Sequence, residues 1–302
     1  MSEQTPTNVL SALSNEMADA VEQAGRTLVL VNGRQRQPAS GVVFGQDLVL
    51  TADHVLERED NLSILTDDGR TLSAQFAGRD SSSDLAVLRV DGLGIDPAAT
   101  ASEEARVGQF VLAVGRPSPN GAMASLGIVS GVGGPLRTRR GSMLERFIQT
   151  DATPYPGFSG GPLVGTNGAV LGITTTGLIG GVTLAIPSAI AWQIGETIAN
   201  QGYIKRGYLG ISSQPVQIPE AQRAGREQER GLLIVRVEDN SPAQQGGLLL
   251  GDILVALDGQ TVIDTDDLQA LLAGERVDTT VPVDVLRGGN LQTLQIKIGR
   301  RS

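Results

Sequence analysis

The stretch Thr153–Gly165, TPYPGFSGGPLVG, sets Ser159 between two prolines upstream and Gly-Gly-Pro downstream. Pro154 and Pro156 remove two backbone donors and pin two φ angles. Gly157, Gly160 and Gly161 leave the backbone permissive on either side of the hydroxyl. A glycine-rich turn explains such a segment. So does a loop that holds a nucleophile beside backbone N–H donors. A serine hydroxyl is a weak nucleophile at its own pKa and needs a base within hydrogen-bond reach, so the rest of the chain decides between the two.

The chain has 302 residues, no cysteine and one histidine, His54. Disulfides, thiolate catalysis and thiolate or multi-histidine metal sites are therefore excluded, and no metal or organic cofactor is implied. Any imidazole proton shuttle near neutral pH has to use His54. The formal net charge is -9. Arg137 to Arg140, RTRR, is the one basic cluster and reads as a solvated loop. Neither nucleic acid nor an anionic membrane surface fits that balance. No segment reaches the ~18 consecutive apolar residues of a membrane span. The opening MSEQTPTNVLSALSNEM has neither the basic start nor the apolar run of a signal peptide. The expected compartment is cytoplasmic if Met1 is native, and otherwise periplasmic or extracellular.

With 39 glycines, 14 prolines and only 3% aromatics, the pattern favours many short aliphatic strands. Leu10, Leu13, Met17 and Val21 recur at helical spacing and predict an amphipathic helix over 7–25. From residue 26 to about 187, short apolar runs alternate with turns, among them SGVVFG, DLVLTA, LAVLRV, FVLAVG and AVLGITTT, as in a barrel or sandwich. SAIAWQIGETIANQG, 188–202, predicts a closing helix with Ser188 as its cap. A second block carries strands YLGISS, LLIVRVE, DILVALDG and TVPVDVLRGG and a helix at DTDDLQALLAG. The expected fold class is mainly β. Its organisation is a helical segment over 1–25, a β domain over 26–204 and an α+β domain over 205–302.

His54, in LVLTADHVL, follows an apolar strand, where a strand end presents a side chain to a cleft. A carboxylate should orient its ring. RDSSSDLAVLRV offers Asp84, which directly precedes an apolar run, and Asp80, which reads as a loop residue. Asp53 adjoins His54, and neighbours in an extended chain point to opposite faces. The order His54, Asp84, Ser159 differs from two other serine-hydrolase orders and equals the chymotrypsin-like one.

TADHVL, DLAVL and TDATPYPGFSGGPLV, with SGVVFG, ASLGIVSGV, RFIQTD, VLGITT and VTLAIPS between and after them, resemble the HtrA/Deg family of serine proteases over residues 20–302. The resemblance implies a chymotrypsin/trypsin-like double β-barrel protease domain. It makes Ser159 the nucleophile, His54 the general base, Asp84 the orienting acid, and the N–H groups of Gly157 and Ser159 the oxyanion hole. Val182, Thr183 and Leu184 match the wall of the primary specificity pocket, which suits small or medium apolar side chains. Phe158 stands where most relatives carry Asn, TPYP where they carry AIN, and Thr183 where glycine is usual. Phe158 is expected to shape the oxyanion loop or cover the pocket, and Thr183 to narrow it.

RGYLGI, 206–211, and NSPAQQGGLLLGDILVALDGQTV, 240–262, resemble a PDZ domain of the HtrA type. That implies binding of C-terminal peptides at Tyr208, Leu209, Gly210 and Ile211, the backbone N–H groups of the last three circling the carboxylate. Ile211, Leu268 and Leu272 line its apolar groove, and the peptide adds as a strand. The short link QGYIKRGYLG predicts that this domain rests on the protease and that bound peptide biases its activation loops. The family further implies a trimer through the N-terminal segment, and an endopeptidase acting on unfolded or misfolded protein in quality control and stress response. A peptide-binding scaffold without catalysis is disfavoured by the intact His54, Asp84 and Ser159. An esterase of the α/β-hydrolase kind is disfavoured because strands, not a helix, follow GFSGG.

Overall fold

The computed structural model describes residues 8–35, 37–138, 143–144, 146–179, 181–202, 207–272 and 276–300. Arg139 and Arg140 of the basic cluster, and 203–206 of the link, lie outside them. The chain divides into two compact units, Met1–Ile204 and Lys205–Ser302.

The first unit opens with α1 (Val9–Gly25), capped by Asn8, whose side chain accepts the Leu10 amide. Met17 and Val21 pack against the core beside buried Ala20 and Ala24, whereas Leu10 is exposed, so the apolar stripe is covered only over the later turns. Six strands then close a barrel: β1 (Leu28–Asn32), β2 (Ala39–Gly45), β3 (Leu48–Ala52), β4 (Leu62–Leu65), β5 (Thr71–Asp80) and β6 (Leu85–Arg89), in the order β1-β2-β3-β6-β5-β4. A second set comprises β7 (Phe110–Gly115), β8 (Met123–Gly133), the small hairpin β9 (Leu136–Arg137) and β10 (Met143–Leu144), β11 (Phe147–Thr150), β12 (Pro162–Val164), β13 (Val170–Thr175) and β14 (Thr183–Pro187). Without the hairpin these close as β11-β14-β13-β12-β7-β8.

Strand alternation divides the apolar residues between separate cores. Val29 and Val31 pack with Val43, Val49, Ile64 and Leu88, while Leu28 joins Val42, Leu50, Leu112, Val114, Ile173 and Ile186 in a core that both barrels share. Val111 and Ala113 turn the other way, onto Val129, Ile148, Leu163 and Leu171. Each fully buried aliphatic side chain contributes roughly 1.5–3 kcal/mol. The shared core fastens the two barrels edge to edge. Helix α2 (Ser188–Gln201) closes the unit, with Trp192 edge-on to Phe44 at 6.0 Å. Its cap is not Ser188 but Pro187, which makes no side-chain cap bond. Strand β14 runs straight into the helix, and Ser188 is already its first helical residue.

The second unit contains β15 (Gly207–Tyr208), β16 (Ile211–Gln217), β17 (Arg230–Val237), α3 (Pro242–Gln245), β18 (Ile253–Leu257), β19 (Gln260–Thr261), α4 (Thr265–Leu271), β20 (Thr280–Arg287), β21 (Asn290–Lys297) and β22 (Gly299–Arg300). The main sheet runs β16-β17-β18-β20-β21, with β19 paired to β18, and β15 pairs with β22. Leu232, Leu254, Leu257, Val283, Val285, Ile296 and Ile298 form its core. Ser241 caps α3 by accepting the Gln244 amide.

Candidate active site

Ala52 at the end of β3 pairs with Leu85 at the start of β6. That register brings the residue after one strand beside the residue before the other, and the Asp53 amide donates to the Asp84 carbonyl at 3.0 Å. The chain leaves β3 through one 3-10 turn, Asp53–Val55, which presents His54. His54 Nδ1 lies 2.6 Å from Asp84 Oδ2, and its backbone amide donates to Oδ1 at 2.9 Å. Thr175 Oγ1 also donates to Oδ2. The Asp84 side chain is 1% exposed, and a carboxylate so buried requires donors of this kind. Asp84 has φ +57, a left-handed value that short aspartate side chains tolerate.

The other two aspartates have separate tasks. Asp53 accepts Arg79 Nη1 at 2.8 Å and the Ser81 hydroxyl at 2.7 Å. Asp80 is no plain loop residue: it ends β5, is buried, and accepts the Ser82 and Ser83 amides at 3.3 and 3.2 Å. It thereby shapes the turn that delivers Asp84.

Ser159 enters from the second barrel. Its Oγ lies 3.3 Å from Thr176 Oγ1, and among the described residues no hydrogen bond joins it to His54. Its carbonyl accepts the Ser40 amide at 3.2 Å, and the following Gly160 amide donates to Thr174 at 2.9 Å. A Cβ built on Gly160 would lie 2.8 Å from the Ala52 amide nitrogen, on the strand that leads to His54. A Cβ on Gly177 would lie 2.6 Å from both His54 Nδ1 and Asp84 Oδ2.

The segment Thr174–Gly177 therefore ties both halves together. Thr174 Oγ1 is shared between the carbonyls of Phe158, at 3.1 Å, and Gly161, at 2.9 Å. Thr175 holds Asp84, and Thr176 makes a long hydroxyl contact with Ser159. In the sequence, TTT reads only as the end of a strand. The available signal was three hydroxyls in a row, which alternation aims at two sides.

Beside Ser159, the Phe158 amide donates to the Tyr155 carbonyl at 3.0 Å and closes a four-residue turn. Pro156 is its second residue, and Gly157, at φ +90, its third, the arrangement of a type II turn. The Gly157 carbonyl accepts the Ser40 hydroxyl at 2.7 Å, and that hydroxyl accepts the Arg116 amide at 2.8 Å. Among the described residues, the amides of Gly157 and Ser159 have no protein acceptor.

Phe158 is buried, with its ring edge-on to Tyr155 at 5.4 Å. A narrow recess beside Ser159 is lined by Phe158, Ala113, Pro154, Thr174, Thr175, Thr176 and Thr183. Phe158 thus serves both the loop and the recess. Of the three wall residues read from sequence, only Thr183 lines the recess. Leu184 faces the shared core, and Val182 packs against it. Successive strand residues point to opposite faces, so a run of three cannot all form one wall.

In the second unit, the Leu209 carbonyl accepts the Ala243 amide and the Gly210 carbonyl accepts the Glu238 amide, each at 2.8 Å. The Tyr208 hydroxyl donates to Glu238. Leu209, Leu268 and Leu272 are buried in the core, Ile211 packs against it half-buried, and β16 is an outer strand of the sheet.

Two six-stranded barrels with this cluster between them define a trypsin-like peptidase fold, and the second unit a PDZ fold. The trypsin-like peptidase domain family matches residues 39–173, and the PDZ domain family residues 207–298. A probable periplasmic serine endoprotease, DegP-like, of Ectopseudomonas mendocina is 35% identical over 277 residues, covering 88% of this chain and 58% of the relative. Its counterpart in Halomonas elongata is 34% identical over 273 residues, covering 88% and 57%. The chain thus spans 57–58% of the length of these curated relatives. Among solved structures, the serine endoprotease from Yersinia pestis superposes with TM-score 0.79 at 29% identity, covering 99% of this chain and 100% of that one. The HtrA-type protease AlgW with tripeptide superposes with TM-score 0.76 at 31% identity, covering 95% and 97%. The chain belongs to the HtrA/Deg family of serine proteases. Among the described residues, no helix is long and apolar enough to cross a membrane.

Proposed function

We propose that the chain is a serine endopeptidase with Ser159 as nucleophile. The observation that carries this is the 2.6 Å contact between His54 Nδ1 and the buried Asp84 carboxylate. A carboxylate there keeps the proton on Nδ1 and leaves Nε2 as the basic nitrogen. Ser159 Oγ turns from Thr176 to Nε2, passes its proton there and attacks the scissile carbonyl. The oxyanion takes hydrogen bonds from the Gly157 and Ser159 amides, a donor of this type contributing ~2.7–4 kcal/mol. His54 then protonates the leaving amine, and water repeats the sequence on the acyl-enzyme. The narrow recess with Thr183 and Phe158 supports small apolar side chains before the cut.

The substrates are unfolded or misfolded proteins, and the setting is quality control under stress. The second unit binds C-terminal peptides at β16, and bound peptide couples to turnover through different affinities for active and resting states. The working assembly is a trimer. The relatives' periplasmic names support a cell-envelope setting for the full protein, which fractionation tests.

The deciding experiment compares β-casein cleavage by the wild-type chain and Ser159→Ala. Cleavage is expected to vanish in the variant while binding of a hydrophobic C-terminal peptide persists. Equal cleavage by both would sink the reading. Turnover at saturating peptide tests the coupling, and an unchanged rate retires it. Sedimentation tests the trimer.

A further inference from the structure

We infer that Pro156 is a positioning residue: with Gly157 it sets the Tyr155–Phe158 turn in advance as an anion cradle, so that attack requires no reshaping of this loop. The inference rests on Ser159 being the nucleophile. The Gly157 amide belongs to the central peptide of that turn, and type I and type II turns differ by a flip of this peptide. A flip would carry the amide to the opposite side and remove one oxyanion donor. Proline at the second position suits both types. A glycine at φ +90 in the third position suits only type II. Proline also narrows the conformations open to the loop, which lowers the entropic cost of holding the competent one.

The surroundings hold the same state. The Phe158 amide closes the turn on Tyr155 at 3.0 Å. The Gly157 carbonyl is held at 2.7 Å by Ser40, a fully buried hydroxyl itself held by the Arg116 amide. Gly157 sits so tightly that a Cβ would come within 2.6 Å of Pro117 Cβ and 2.9 Å of the Pro38 carbonyl. Phe158 anchors the far end, its ring so close to Gly115 that a Cβ there would lie 2.4 Å from it. A turn fixed by a ring, a buried hydroxyl and an aromatic anchor has one resting shape.

The test uses the full chain on a chromogenic peptide substrate with no C-terminal peptide added. Pro156→Ala is expected to lower kcat about two- to fivefold, the factor by which a compatible proline favours the ordered state of its segment. KM should move by less than about twofold, since the lost interaction belongs to the transition state. Affinity for a peptide boronate, which forms a tetrahedral adduct with an oxyanion-like oxygen, should fall with kcat, and affinity for the product peptide should hold. A merely structural proline would lower the unfolding midpoint and leave that split unmoved. Ser40→Ala, which releases the Gly157 carbonyl, should give the same pattern and carries the test if Pro156→Ala fails to fold. Unchanged kcat and boronate affinity in the folded variants, with wild-type Ser159 labelled by a fluorophosphonate, overturns the inference alone. A wild-type chain left unlabelled overturns the inference and the reading beneath it.

Discussion

In the first barrel, His54 is held by charge: both oxygens of a buried aspartate engage it, one through the ring and one through the amide. In the second, Ser159 is held by backbone shape: a proline, a positive-φ glycine and a buried aromatic define the loop, and the hydroxyl has only a long contact to Thr176. The barrels have equal strand numbers and opposite ways of presenting a side chain. Charged hydrogen bonds in a buried site are strong and fail outright when one partner is removed. Turn geometry loosens by degrees. The acid–base half of the site should therefore respond to mutation nearly all-or-none, and the loop half in graded steps.

The largest effects test that contrast most directly. Ser159→Ala deletes the nucleophile itself and sets the ceiling, about 10⁶-fold in kcat. On the acid–base side, Asp84→Asn should lower kcat about 10⁴-fold, because an amide favours the wrong tautomer of His54, against the about two- to fivefold of Pro156→Ala on the loop side. Steady-state kinetics checks both, and a loss below about tenfold for Asp84→Asn would break the comparison. Next comes Thr175→Val, which takes one donor from the buried carboxylate. Urea titration should show about 1.5–3 kcal/mol less stability, the range for a hydrogen bond to a charged group.

Thr176→Val sharpens the loop side. Releasing Ser159 Oγ towards His54 should raise the labelling rate by a small fluorophosphonate about two- to tenfold, the range for one neutral hydrogen bond, and Thr176→Ser should restore the original rate.

The smallest effect belongs to an exposed pair away from the site. Arg146 hydrogen-bonds Glu104 at 2.7 Å and holds its carboxyl below the usual range. A lowered folded-state pKa means stability that is present above the unfolded value and lost as pH falls through the folded one. The melting difference between wild type and Glu104→Gln should be slight near neutrality and vanish in acid. Differential scanning fluorimetry across pH checks it, and a gap that grows on acidification would reverse the sign.

Asp84 was legible because it directly precedes an apolar run, so the strand had to fix it at a core edge. Asp80 has the same residue type and a similar neighbourhood. Only the structure shows that it accepts two amides and turns the chain, because hydrogen bonds to residues two and three ahead leave no mark on hydropathy. Val182, Thr183 and Leu184 were read as one wall, but strand alternation aims Leu184 into the core. The same alternation at Thr174–Thr176 aims successive hydroxyls at the two halves of the site. Strand β21 was missed because its side chains are mostly exposed and carry little apolar periodicity. Leu268 and Leu272, which the resemblance assigns to the peptide groove, are buried with the core of the second unit.

The residues themselves determined the kinds of chemistry open to this chain: one imidazole, no thiol, a hydroxyl between turn formers, and an order that matches one class of serine hydrolase. These are properties of composition and of short local segments, so they can be read in one dimension. Tertiary structure decided how the three aspartates divide their tasks, that Thr176 lies against the hydroxyl, and that Pro156 and Gly157 make a single turn. Each of those depends on strand register and on contacts between distant segments, and β-ladder pairing sets both only when the barrels close.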